Sequence, residues 1–368
     1  MTLYILLILS AMTISMGCGF LAIPVILDFC KEKRLYDIPN ARKMHKTMIP
    51  RLGGVAFMPS MLIAFILALL VMANDYQGNR ISINLWSLYF FLGLLIIYVV
   101  GLVDDLTGLG ANIKFTAQII AAIVLPLSNL YINNLYGLFG IYEIPYWVGA
   151  PLTVITIVFI CNAMNLIDGI DGLCASLTEI ALAGFMFAFY SEHIYVYCIL
   201  IAGLMGALIP YLYYNLFGKE ECNRKIFMGD SGSLTLGFVL GFLFVKYTMN
   251  NPTVMPFAPH RMPIAYTFLI IPTFDVVRVV LHRIRMHQGI FCADKNHIHH
   301  KIMRLGYSMR QTLCIILCLA LSFIVLNRMV YPFTGFTIVF IMDIFLYTAL
   351  NLALNFRVKN NIKGIQNK

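Results

Sequence analysis

Four short stretches carry the residues able to do chemistry: DDLTGLGANIK at 104–114, NAMNLIDGIDG at 162–172, FMGDSGS at 227–233 and NHIHH at 296–300. In the second, Asn162, Asn165, Asp168 and Asp171 recur at every third position. Positions three apart on a helix are neighbours, so Asn165 and Asp168 are expected to converge, as are Asp168 and Asp171. The result is a compact set of hard oxygen donors. Magnesium takes a few such oxygens from protein and the rest from water and substrate phosphates. The glycine loop around Asp230 opens a helix, and backbone N–H groups at a helix N-terminus favour an anion. Metal-bridged phosphate chemistry is the first hypothesis.

Each residue also has a bland reading. Asp230 suits a helix N-cap, and Asp168 and Asp171, each followed by glycine, suit a turn. Asp275 suits a buried polar contact, and His297, His299 and His300 a solvated run or an adventitious metal site. Asp104 and Asp105 fit poorly as caps, because a carboxylate at a helix C-terminus opposes the macrodipole. Single coincidences are tolerable, but all of these groups falling at one membrane face are not.

The elements that position these residues are set by composition. Of 368 residues, 60% are hydrophobic and 12% charged, and apolar runs of bilayer-crossing length recur from end to end. The expected fold is all-α, a single polytopic membrane domain over 1–368. About eleven transmembrane helices are predicted near 3–27, 53–73, 84–103, 113–128, 147–167, 173–190, 194–214, 233–249, 263–281, 312–327 and 334–356, with 126–147 an outer loop. Cytoplasmic loops retain Lys and Arg. Of the 26 basic residues, 22 fall in alternate loops and the tail, which predicts an outside N-terminus and a cytoplasmic C-terminus. On that topology the cytoplasmic loops 28–52, 104–114, 162–172, 215–233 and 282–311 build the active site. The first span lacks a basic n-region, is longer than the apolar core of a signal peptide, and is expected to be retained rather than cleaved. The formal charge of +9 follows from topology and anionic headgroups, so nucleic acid is not an expected partner. The nine cysteines show no CxxC pair and read as packing residues.

Taken in order and between spans, DDLTGLGANIK, NAMNLIDGIDG, FMGDSGS and NHIHH resemble the polyprenyl-phosphate N-acetylhexosamine-1-phosphate transferase superfamily. The resemblance is closest to its bacterial branch that starts envelope glycans such as O-antigen on undecaprenyl phosphate, and it runs from PRLGG at 50–54 to the loop after the ninth span. It implies a bacterial inner-membrane enzyme that moves a sugar 1-phosphate from a UDP-N-acetylhexosamine, with UDP-GlcNAc the default, to undecaprenyl phosphate. Magnesium, with manganese as substitute, would be held by Asn165 and Asp230. The catalytic set would be Asp104, Asp105, Asp168, Lys114, His297, His299 and His300. Asp104 and Asp105 would sit by the lipid phosphate and Lys114 on the diphosphate. Asn162, Asp171 and Arg304 would bind substrate, Asp171 near the uracil ring. Arg283, Arg285 and Lys295 add positive charge, and a homodimer is left open. Cys292 stands where close relatives tend to have a serine-proline stretch.

Three other readings compete. The related transferase of peptidoglycan synthesis, with a UDP-muramoyl-pentapeptide donor, typically carries three adjacent histidines, whereas Ile298 interrupts the run here. An ion-coupled transporter also uses intramembrane acids, but near the midplane rather than at span ends. CDP-alcohol phosphotransferases need a DG-x2-AR start, and no such AR pair follows Asp168-Gly169.

Overall fold

The computed structural model describes residues 2–37, 48–73, 85–219, 224–289 and 296–366. Arg42, Lys43 and Lys46 of the first basic loop, Arg80, Cys292 and Lys295 lie outside them. Helix α1 (Thr2–Lys33) is followed by a 3-10 turn (Gly53–Ala56) that runs into α2 (Phe57–Ala73), then α3 (Leu85–Thr107) and α4 (Ala111–Leu127). After a β-hairpin come α5 (Tyr146–Ile167), α6 (Leu173–Ser191), α7 (Tyr195–Phe217) and α8 (Gly229–Thr248). The remaining helices are α9 (Arg261–Thr267), α10 (Ile270–Arg285), α11 (Ile298–Arg304), α12 (Met309–Thr334) and α13 (Phe336–Gln366). Among the described residues, nine helices are long and apolar enough to cross a membrane. The all-α polytopic expectation holds, and each of the eleven expected segments falls on a helix.

Two of those expectations need correction. The segment 263–281 is not one straight span: α9 and α10 meet at a bend of 70°. Pro272 accounts for it, because proline cannot donate to the carbonyl of residue 268 and its ring clashes there. The segment 126–147 is not simply a loop. Helix α4 continues through Leu127, and the strand Asn134–Leu138 pairs antiparallel with the strand Ile141–Glu143. This hairpin is tied to the end of α8, where Tyr136 Oη donates to the Thr248 carbonyl at 2.9 Å. It also grips α13: Phe139 N donates to Thr337 Oγ1 at 2.8 Å, and that hydroxyl donates to the Gly137 carbonyl at 3.1 Å.

Helix α8 is the axis of the molecule, with every residue from Ser231 to Thr248 buried. In lipid there is no hydrophobic drive between helices, so close association depends on small residues that let backbones touch. Gly237 supplies that contact with α5: a Cβ there would stand 2.6 Å from the Cys161 Cα. On another face, Phe90 of α3 stacks on Phe242 with ring centroids 4.0 Å apart. The periphery is the reverse. Leu21 of α1, Phe333 of α12 and Phe345 of α13 are exposed, as lipid-facing positions should be.

Gly237→Val is expected to overpack the α5–α8 crossing by about 1–3 kcal/mol. In detergent-purified protein this should lower the thermal midpoint by roughly 5 °C. An unchanged midpoint would contradict the packing described.

Candidate active site

The loop carrying Asp230 turns into α8 through Gly229, whose φ of +73 lies in the left-handed region. A side chain there would also collide with the Arg51 carbonyl and the Asp105 carboxylate, so glycine is required at this turn. The helix then begins buried, and its first N–H groups need acceptors. They find one on another helix: Asp105, near the C-terminal end of α3, accepts from Asp230 N at 2.8 Å and Ser231 N at 2.9 Å. Asp105 is therefore the cap of α8. The bland reading of Asp230 as the cap is set aside, and the Asp230 side chain is released for other partners.

Those partners define the centre of the site. Lys114 Nζ, from the first turn of α4, lies 2.6 Å from Asp230 Oδ2 and 3.2 Å from Asp104 Oδ2. Asn165, in the last turn of α5, donates to Asp230 Oδ1 at 3.1 Å and to Ser233 Oγ at 2.9 Å. Asp104 also accepts from Leu109 N at 2.7 Å, which closes the turn between α3 and α4. Oxygens of Asp104, Asp105 and Asp230 lie within 4.8 Å of one another. Such a group suits a hard divalent cation, and the Lys114 ammonium already bridges two of its members. The donor set fits magnesium, with Asp104 joining Asp230 and Asn165 as candidate ligands.

The 162–172 stretch is less uniform than its spacing implied. Helix α5 ends at Ile167, so Asp168 and Asp171 sit in a turn beyond it and do not share a helical face. Asp171 pairs with Lys225 at 2.7 Å, and Asn215 holds the turn by accepting from Gly172 N at 2.6 Å. Neither Lys225 nor Asn215 was singled out in the sequence, although both lie in the 215–233 segment. Asn162 faces α4, donating to Gln118 Oε1 at 2.6 Å and to the Val158 carbonyl at 2.8 Å. Asp168 is half-buried at the base of this cleft. Burial first, then the charges of Asp230, Asp171 and Asp105, raise its pKa to about 7.

The histidines reach the site from the other side. Asp275, fully buried on α10, accepts from His297 Nδ1 at 2.7 Å, from Ile298 N at 3.0 Å and from Arg278 Nη2 at 2.8 Å. It is the anchor of the histidine run, and its i,i+3 pairing with Arg278 was the available sequence signal. His297 and His299 stack with ring centroids 5.7 Å apart, and His299 meets His300 at 4.2 Å. The His299 ring lies against the Gly169 backbone, where a Cβ would come within 2.3 Å of its Nε2. Both ring nitrogens of His299 are buried without a hydrogen-bond partner. Burial, then His300 and His297, hold its pKa down at about 3, so it is a neutral imidazole offering one donor and one acceptor. Arg304 ends α11, exposed.

The profile of glycosyl transferase family 4 matches residues 87–248, the stretch from α3 to α8 that supplies the carboxylate cluster. The chain is 30% identical over 351 residues, 92% of its length and 90% of the relative, to a probable undecaprenyl-phosphate N-acetylglucosaminyl 1-phosphate transferase of Bacillus subtilis. It is 30% identical over 290 residues, 78% of its length and 74% of the relative, to the undecaprenyl-phosphate alpha-N-acetylglucosaminyl 1-phosphate transferase of Escherichia coli K12. For the enzyme of that name from Yersinia pestis the identity is 28% over 286 residues, 77% of this chain and 73% of the relative.

Two outcomes are expected from these contacts. Asp275→Ala leaves Arg278 and His297 without their buried acceptor, at a cost of about 3–5 kcal/mol, read as a thermal midpoint lowered by roughly 10 °C. The second concerns pH. A carboxyl with a raised folded pKa contributes stability below its ordinary value of 3.8, and loses it as pH rises through about 7. In metal-free protein the stability gained by Asp168→Asn over the parent should therefore grow from pH 4 to 7 and level off above. A gain independent of pH would contradict the assignment.

Proposed function

Because the chain belongs to glycosyl transferase family 4, we propose that it transfers N-acetylglucosamine 1-phosphate from a UDP-sugar to undecaprenyl phosphate, releasing UMP. The observation that carries this reading is the meeting of Asp104, Asp105 and Asp230, from two different helices, with Lys114 between them. The names of the relatives support the acceptor and the sugar. The product, undecaprenyl-diphospho-N-acetylglucosamine, is the starting unit of a cell-envelope glycan such as O-antigen. The site would face the cytoplasm from the inner membrane, a reading supported by the concentration of Lys and Arg in the loops at the carboxylate end.

In the reaction one phosphoanhydride replaces another. An oxygen of the lipid phosphate forms a bond to the sugar-bearing phosphorus of the donor, and the bond from that phosphorus to UMP breaks. A phosphate monoester has a second pKa near 6, so at neutral pH the lipid phosphate is mostly a dianion and needs no general base. Magnesium, held by Asp230, Asp104 and Asn165, would supply charge neutralisation for the donor diphosphate. Lys114 adds a cation at the same place, and the chain otherwise acts by positioning. His297, His299 and His300 would belong to the wall that handles the donor diphosphate or sugar. Asp171 and Lys225 lie at the uridine end.

The carboxylates favour direct attack over a phospho-aspartyl intermediate. Both oxygens of Asp105 accept N–H groups of α8, and those of Asp104 are engaged by Leu109 N and Lys114. Neither of these two aspartates is presented as a free nucleophile.

Purified protein with magnesium, undecaprenyl phosphate and UDP-GlcNAc is expected to release UMP, and Asp230→Asn to cut the rate by roughly a hundredfold or more. No lipid-dependent UMP with any UDP-N-acetylhexosamine would overturn the reading. Phosphate trapped on an aspartate in the absence of lipid would overturn direct attack.

A further inference from the structure

Two amides meet one helical turn deeper in the membrane than the carboxylate cluster. Helix α4 carries Lys114 in its first turn and Gln118 one turn further on, about 6 Å along the axis. Helix α5 carries Asn165 in its last turn and Asn162 one step before it on the same face, about 4.5 Å along the axis. Lys114 and Asn165 both reach Asp230, so Gln118 and Asn162 lie on the membrane side of that contact. There Asn162 Nδ2 donates to Gln118 Oε1 at 2.6 Å.

Chemistry fixes how both amides point. The Asn162 nitrogen also donates to the Val158 carbonyl at 2.8 Å, and a carbonyl only accepts, so the Asn162 atom at this junction is the nitrogen. The Gln118 atom facing that nitrogen is then its oxygen, which turns Gln118 Nε2 and its N–H groups the other way. Gln118 Nε2 has no partner among the described residues, yet it is not one of the side-chain nitrogens that are both buried and unpartnered. It therefore keeps surface open to a ligand, although Gln118 as a whole is only 3% exposed. Asn162 itself sits on the stripe that α5 turns outward. Pro151 and Ile155 are exposed, Phe159 and Asn162 half-buried, and steps of four, four and three residues keep them on one face. A polar pair at the head of a lipid-facing stripe is costly in an apolar surrounding, and the head group of an amphiphile coming from the bilayer is the group that answers it.

We propose that Gln118 Nε2 binds the phosphate of the acceptor lipid, held in that orientation by Asn162. The inference rests on the transfer reading above and adds to it a residue that tells the two substrates apart. The donor diphosphate meets Lys114 from the aqueous side, and the acceptor phosphate meets Gln118 from the membrane side, with its chain leaving along Phe159, Ile155 and Pro151. A neutral donor suits this task. An amide N–H orients a phosphate oxygen without neutralising it as a cation would, so the charge needed for attack on phosphorus is kept.

Gln118→Leu removes the whole amide, whereas Gln118→Glu removes only the donor and keeps an oxygen for Asn162. Both are expected to raise the KM for undecaprenyl phosphate by about tenfold or more, Glu more than Leu because it adds a negative charge. The KM for UDP-GlcNAc should change by less than about twofold. If Gln118 serves only to hold Asn162, Gln118→Glu matches the parent, and that result overturns the proposal, as does an effect that falls on the UDP-GlcNAc KM instead. A second readout needs no turnover. Undecaprenyl phosphate alone should raise the thermal midpoint of the full-length parent in detergent by roughly 5 °C and that of either variant by much less, while undecaprenol, which lacks the phosphate, should not distinguish them. Equal shifts from undecaprenyl phosphate in parent and Gln118→Glu overturn the proposal even where Gln118→Leu fails to fold. A parent that releases no UMP and gains nothing from the lipid phosphate removes the transfer reading and this subsite together. An active parent matched by Gln118→Glu removes the subsite alone.

Discussion

The start of α8 is a buried helix end whose N–H groups must be met, and the acceptor that meets them belongs to a different helix. Asp105 binds the backbone of Asp230 and Ser231, so α3 and α8 cannot shift relative to each other without exposing uncapped donors in an apolar interior. This one constraint draws Asp104 and Asp230 together. It also creates the electrostatic problem that the rest of the site answers. Three carboxylates within 4.8 Å repel strongly where the dielectric is low. The Lys114 ammonium, the positive end of α8 and the Asn165 amide offset that repulsion before any ligand arrives. The groups that make the fold tolerable at this point are also the groups that would receive a metal and a diphosphate.

Much of this was legible in the chain. Spans could be placed because only long apolar stretches cross a bilayer, and suspicion fell on Asp104, Asp105, Asp168 and Asp230 because acids are expensive there. Lys114, Asn165 and Asp230 do come together. What could not be read is pairing at a distance. The cap of α8 lies 125 residues before the first amide it accepts, and no local pattern announces it. Asn162 turned out to bond Gln118, 44 residues away, for the same reason. The three-residue spacing misled at Asp168 and Asp171 because it presumed a helix that in fact stops at Ile167, where the glycines were already a sign. Pro272 is likewise a readable break, masked because the segment around it is apolar enough to pass as one span. The role of Asp275 is not legible in the chain, since its burial and its hold on His297 exist only in the folded protein.

Two halves of the molecule meet over the cleft. Helices α3 to α8 supply the carboxylates, while α10 and α11 bring the imidazoles, anchored by Asp275. Contact between them includes the His299 ring on the bare backbone of Gly169, a surface with no side chain to interlock. The arrangement joins a rigid charged floor to a wall set by a single buried anion.

The hairpin at 134–143 has a bearing on how such a chain is made. Phe139 and Gly137 take their partner from Thr337, 198 and 200 residues later. At ordinary rates of synthesis, about 5–20 residues per second, the hairpin waits roughly 10–40 s for the helix that closes it. Helices α5 to α12 are thus inserted and packed while this buckle stands open, and α13 fastens a clasp built before any of them.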